Sequence, residues 1–143
     1  MKILISALIL GIGLSACSKE SSYRERLKGT WTINELQVTE GVDTTSSKYI
    51  IQNAGIYSFN KSGDGSLIES SDTTTSNRTF KWSVISNHKV ILNFSASNTE
   101  EWTVLSNQAS AQIWENTSSD NLQKGGLTAT HTLYRKISLQ KLK

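Results

Sequence analysis

The sequence predicts an all-β fold: a single antiparallel up-and-down β-barrel of about eight strands, behind a cleaved leader. Three observations predict it. From residue 28 onward, short β-rich runs recur mostly about 10–13 residues apart, with polar turns between them. Within the runs, apolar and polar residues alternate with period two, so one face packs and the other is wet. No segment carries a sustained helical apolar period. Eight such strands joined in order by short turns fit a barrel, which leaves no open edge.

The expected strands lie near 28–38, 48–60, 66–71, 78–85, 89–95, 99–105, 109–115 and 127–138. Tyr23–Leu27 can form a helical turn before the first. Alternation places Trp31 and Ile33 on the packed face, then Tyr57 and Phe59, then Phe80, Trp82 and Val84. Val90, Leu92 and Phe94 continue the set, followed by Trp102 and Val104. Thr79, Lys81 and Ser83 occupy the opposite face of their strand. Asp64-Gly65 between Tyr57-Ser58-Phe59 and Ser66-Leu67-Ile68 is a hairpin signal, because both positions tolerate positive φ. Ser86-Asn87-His88 and Ser106-Asn107-Gln108 join two further pairs. Residues 39–47 and 70–77 are polar enough to be mobile, and residues 121–126 form a longer loop ending in Gly125-Gly126.

The chain has 143 residues, 36% apolar and 19% charged, which is enough for one core and not for two. One Cys cannot make an internal disulfide, and one Cys with two His cannot supply a four-ligand zinc site. A mean hydropathy of −0.33 excludes a polytopic membrane protein. The formal charge is +3, from 15 basic and 12 acidic residues, and Lys2 belongs to the leader. The basic residues are scattered and form no stripe of the kind that binds nucleic acid.

Residues 1–16 read as a signal peptide: Met1-Lys2, an apolar run from Ile3 to Leu14, then Ser15-Ala16. The run is too short to span a bilayer, which takes about 20 apolar residues. Leu14-Ser15-Ala16-Cys17 resembles the lipobox of bacterial lipoproteins. The resemblance implies a thioether from Cys17 to diacylglycerol, cleavage before Cys17, and acylation of the new amine by a chain such as palmitate. The sole Cys would then be an anchor to the membrane, and two or three acyl chains hold stably where one does not. Residues 17–26 are the lipidated Cys and tether, and residues 27–143 the barrel. The tether Ser18-Lys19-Glu20-Ser21-Ser22 weakly resembles the acidic export tags of Bacteroidota surface lipoproteins. The expected location is the bacterial cell envelope, anchored by lipid at the outer membrane.

Leu27-Lys28-Gly29-Thr30-Trp31 resembles the Gly-x-Trp opening of the lipocalin and calycin barrels. In that family the Trp closes the barrel floor under a basic residue of the last strand. The resemblance implies a barrel-closing pair of Trp31 and Arg135, the latter within Leu133-Tyr134-Arg135-Lys136. Tyr57-x-Phe59, Gly63-Asp64-Gly65 and Phe80-x-Trp82 together look like the small lipocalin-like lipoproteins of Bacteroidota. The resemblance covers about residues 27–138 and implies non-enzymatic binding of a small apolar ligand at the barrel mouth. Tyr57, Phe59, Trp82, Trp102 and Trp114, with Trp31, would line it, or else pack into a filled core. A filled core would point instead to a structural or protein-binding envelope lipoprotein, an inhibitor or adaptor.

Nothing in the sequence forms a catalytic constellation. His88 falls in a turn and His131 in the last strand, with no nucleophile elbow near either. Glu100 and Glu101 are adjacent on a strand and point to opposite faces. Asn60-x-Ser62-x-Asp64-Gly65 faintly resembles a calcium loop, but position twelve is Ser71, where a bidentate Glu is needed. A hairpin explains it better. Gly125-Gly126 precedes a strand and offers no helix-terminal phosphate site. No cofactor, metal or catalytic residue is expected.

Overall fold

The computed structural model describes residues 21–71, 73–86, 88–124 and 127–143. Eight antiparallel strands run in sequence order and close on themselves. They are β1 (Gly29–Val42), β2 (Thr45–Phe59), β3 (Asp64–Ser70), β4 (Thr75–Ser86), β5 (Lys89–Ser95), β6 (Asn98–Asn107), β7 (Ala111–Lys124) and β8 (Leu127–Lys141). The seam is the β1–β8 ladder, in register from Trp31 opposite Lys141 to Val42 opposite His131. The closed sheet expected from the alternation is therefore present.

Several strands are longer than their sequence signals. Residues 39–47 are not a mobile loop: β1 continues to Val42 and β2 restarts at Thr45. Asp43, at φ 51°, makes the tight turn between them. Its short side chain tolerates that conformation and its carboxylate accepts from the amide of Thr130 at 3.2 Å. Residues 70–77 shrink likewise to a short turn, where Ser71 Oγ accepts from the amide of Thr74. β7 runs to Lys124 through most of the expected loop 121–126; Gly125-Gly126 and Asn87 lie outside the described residues. Asp64-Gly65 is not the hairpin turn but the start of β3. Gly63 takes the positive φ, 91°, and Asn60 closes the turn by donating to the carbonyl of Asp64 at 2.8 Å. Gly65 instead lies flat under a ring: a Cβ there would come within 2.3 Å of Phe80.

A helix over residues 21–27 caps one end. Tyr23 and Leu27 are fully buried and plug that floor. Trp31 Nε1 donates to the Leu27 carbonyl at 2.7 Å. Tyr23 OH and Trp114 Nε1 both donate to Oε1 of buried Gln112, each at 2.8 Å. Trp82 Nε1 donates to the Asp64 carbonyl at 3.1 Å. These bonds satisfy the polar edges of rings that are otherwise out of water.

The expected inward residues pack as read, joined by Leu67, Trp114, Ile137 and Leu139; Val84 and Phe94 are only partly buried. Register shifts fall between Val84 and Ser86 and between Val104 and Ser106. Each bulge leaves its extra residue facing water, which explains exposed Ile85 and Leu105.

Candidate functional site

The barrel has two halves of different character. The floor half is a solid aromatic core. Phe59 has ring centroids at 5.4 Å from Trp82, 5.5 Å from Phe80 and 6.0 Å from Trp114. Tyr57 lies 6.3 Å from Trp114, and Trp102 also 6.3 Å from Trp114. All five expected lining residues are at most 3% exposed. Phe59 packs against both Trp82 and Trp114, so these rings fill the floor. Tyr57 and Trp102 border an internal space, a void of about 40 Å³.

The expected pair of Trp31 and Arg135 is not formed. Register is the reason: Trp31 faces Lys141 across the seam, whereas Arg135 faces Val38, far up β1. Lys141 Nζ lies 5.2 Å from the Trp31 ring centroid. Arg135 instead stacks over Trp102 at 4.9 Å. The last strand does supply a cation to the floor Trp, but from its final residue.

Arg135 belongs to a polar collar at mid-height. Its Nη1 donates to Glu100 Oε1 at 3.0 Å and its Nη2 to Asn116 Oδ1 at 2.8 Å. The other oxygen of Glu100 accepts from Trp102 Nε1 at 3.0 Å. Across the barrel, Arg78 Nη2 donates to Glu69 Oε1 at 2.8 Å, and Ser76 Oγ donates to Glu69 Oε2 at 3.1 Å. Arg78 also stacks over Phe94 at 4.4 Å. Arg78 Nε and Arg135 Nε are buried and have no hydrogen-bond partner. Burial, and then the charge of Glu100, push the Tyr57 hydroxyl well above the usual phenol range, so it stays protonated. Arg78, Arg135, Glu69, Glu100, Tyr57 and Trp102 all line the 40 Å³ void.

The wall opens at three places. β2 and β3 pair only from Phe59–Gly65 to Gly55–Glu69, β6 and β7 part above Thr103–Glu115, and β4 and β5 part above Lys81–Asn93. Gly55 sets the first opening: at φ 154°, a Cβ there would meet the Ile68 carbonyl at 2.2 Å. Just before it, Asn53 is at φ 53° and β2 carries an extra residue against β1. The opening is a cleft of about 250 Å³ with Leu36, Ile51 and Ala54 on one wall and Glu69, Ser70, Ser71, Thr74 and Ser76 on the other. Leu36, Ala54 and Glu69 border both the cleft and the void. Asn116 spans the second opening, its Nδ2 donating to the Glu101 carbonyl at 2.7 Å.

A larger groove of about 780 Å³ lies on the outer wall, lined by Asp64, Lys81, Asn93 and their neighbours, with Phe80 and Phe94 at its base. Phe80 is buried and the two rings pack on each other at 5.3 Å.

The remaining sequence candidates fall apart in space. Glu101 faces outward and pairs with Lys89, while Glu100 faces in, as alternation requires. His88 sits at a hairpin end, where its carbonyl accepts from Val104. His131 stands opposite Asp120 and Val42 near the open rim. Asn60, Ser62 and Asp64 form a hairpin in which Ser62 Oγ donates to Asp64 at 2.8 Å. Among the described residues, no group of three His, Cys, Asp or Glu could hold a metal. Cys17 lies outside the described residues. Sequence reasoning missed Arg78, Glu69 and Asn116; their signal was a polar residue on an inward position of a strand whose neighbours are apolar.

No family model and no curated protein matches the chain. Solved structures similar to it include two odorant-binding proteins. One is a bovine odorant-binding protein, a deswapped triple mutant, at 13% identity and a TM-score of 0.39, covering 82% of this chain and 76% of that one. The other is also an odorant-binding protein, at 10% identity and a TM-score of 0.39, covering 78% and 71%.

Proposed function

We propose that this protein is a lipid-anchored binding protein of the bacterial cell envelope, held by Cys17 at the outer membrane, that takes up a small and mainly apolar molecule without transforming it. The site is the cleft between β2 and β3. One observation carries this reading: the cleft has an apolar wall of Leu36, Ile51 and Ala54, and two of these residues, Leu36 and Ala54, also border the void inside the barrel. Small-molecule sites combine such an apolar wall with a few placed polar groups. The aromatic floor is the support beneath the site and not its lining.

A second reading is a structural or protein-binding envelope lipoprotein with a filled core. It is favoured by the tight floor and by β2, β4 and β7, each of which pairs on one side only over part of its length. Free strand edges are templates for a partner's strand.

Two experiments test this. Cys17→Ala should abolish lipid labelling and leave the leader uncleaved; labelling that persists would refute the anchor. All the packing described lies within residues 21–143, so residues 18–143 serve as a soluble form. Native mass spectrometry of that form from a bacterial periplasm, beside a denatured control, should show an added mass lost on denaturation. A bare mass that stays bare with added medium-chain ketones would favour the second reading.

A further inference from the structure

The collar carries a chemical preference that the apolar cleft does not. Its charges balance: Arg78 and Arg135 against Glu69 and Glu100. Each of its acceptor oxygens already receives a hydrogen bond: both of Glu100, both of Glu69 and Oδ1 of Asn116. Two of its donors have no partner at all. Nε of Arg78 and Nε of Arg135 are buried and unpartnered in residues that border the void.

A buried donor without an acceptor is costly, so a ligand atom that accepts from it gains more there than in water. A carboxylate would accept, but it would be a third acid beside Glu69 and Glu100, with two arginines to share among three. Burying that uncompensated charge opposes binding. An ammonium brings only donors and leaves both Nε–H groups unpaired. A plain hydrocarbon leaves both Nε–H groups unpaired.

Resting on the cleft reading above, we infer that the site selects an uncharged molecule with an apolar body and a neutral hydrogen-bond acceptor at one end, such as a ketone, aldehyde or ester. The acceptor oxygen enters the void beside Arg78 and Arg135, and the body lies along Leu36, Ile51 and Ala54. The stacking of each guanidinium on a ring, Phe94 or Trp102, and its bond to a carboxylate fix the donors before the ligand arrives.

The test is a matched series of eight-carbon probes: methyl hexyl ketone, octanoate, octylammonium and octane. Each is titrated into residues 18–143 at neutral pH, followed by the fluorescence of Trp102 and its neighbours and by calorimetry. The ketone should bind at least about tenfold more tightly than octanoate, octylammonium or octane, a margin of one to two hydrogen bonds. Arg78→Lys and Arg135→Lys keep the charge but remove Nε–H. Each should weaken the ketone about fivefold and leave octane unchanged. Equal binding of ketone and octane would overturn the inference while leaving the cleft reading in place. Octanoate binding as well as the ketone would overturn it by showing a cationic site. Failure of all four probes to bind would overturn both the inference and the cleft reading.

Discussion

Lys141 Nζ lies 5.2 Å from the centroid of the Trp31 ring and also donates to the carbonyl of Arg26 at 2.7 Å. One amine therefore ties the capping helix, the first strand and the last strand together. The barrel is sealed at the point where its first and last strands meet the helix. The ring beneath it is fully buried and its indole N–H is bonded to Leu27.

Trp31→Ala should therefore destabilise the protein by about 3–5 kcal/mol, because a large cavity opens under the helix. Lys141→Ala should cost only about 0.5–1 kcal/mol, since the cation–π contact is partly wet. Urea unfolding measures both. An unchanged midpoint for Trp31→Ala would contradict the buried floor.

Arg135 and Glu100 form a different kind of contact, an ion pair inside the barrel with side chains 22% and 11% exposed. Arg135→Met should cost about 3 kcal/mol, because Glu100 is left charged and short of a partner. Glu100→Gln in the same background should recover part of that loss. The two substitutions should couple by about 0.5–3 kcal/mol in a double-mutant cycle. Strict additivity would mean that the pair does not hold the collar.

Buried phenols make stability fall in alkali. Burial pushes the hydroxyls of Tyr23 and Tyr57 far up, in Tyr23 against the opposing effects of its hydrogen bonding and of Arg26. In the unfolded chain both ionise near pH 10. Below that pH their contribution to stability is intact. Above it the unfolded state loses protons that the folded state keeps, so stability drops with rising pH by up to about 1.4 kcal/mol per pH unit for each phenol. Urea unfolding between about pH 9 and pH 11 should show this slope, and Tyr57→Phe should reduce it. A slope unaffected by Tyr57→Phe would contradict the burial of that hydroxyl.

The fold was legible because alternation is a property of neighbours in sequence. Trp31 and Ile33, or Phe80 and Trp82, declare their shared face without any knowledge of the rest of the chain. Strand ends were less legible. Thr39 to Val42 and Thr45 to Ser47 look like loop by composition, yet they extend a hairpin because β1 is paired on both sides. The site was least legible. Arg135 was correctly seen as a basic residue of the last strand, but its partner depends on the seam register, which no local pattern encodes. Arg78, Glu69 and Asn116 are ordinary polar residues in sequence. They become a collar only when three strands bring them to one height inside the barrel. The aromatic ring set was read correctly as inward. Whether it encloses space or fills it depends on side-chain interdigitation, and the helix plug of Tyr23 and Leu27 settles that in favour of filling.

The most direct test of the cleft as the binding site is an amide NMR titration of residues 18–143 with methyl hexyl ketone. Saturable shifts should concentrate at Leu36, Ile51, Ala54, Glu69 and Arg78, with the floor residues Phe59 and Trp114 little changed. Shifts confined to the outer groove at Asn93 and Phe94, or no saturable shifts at all, would contradict it.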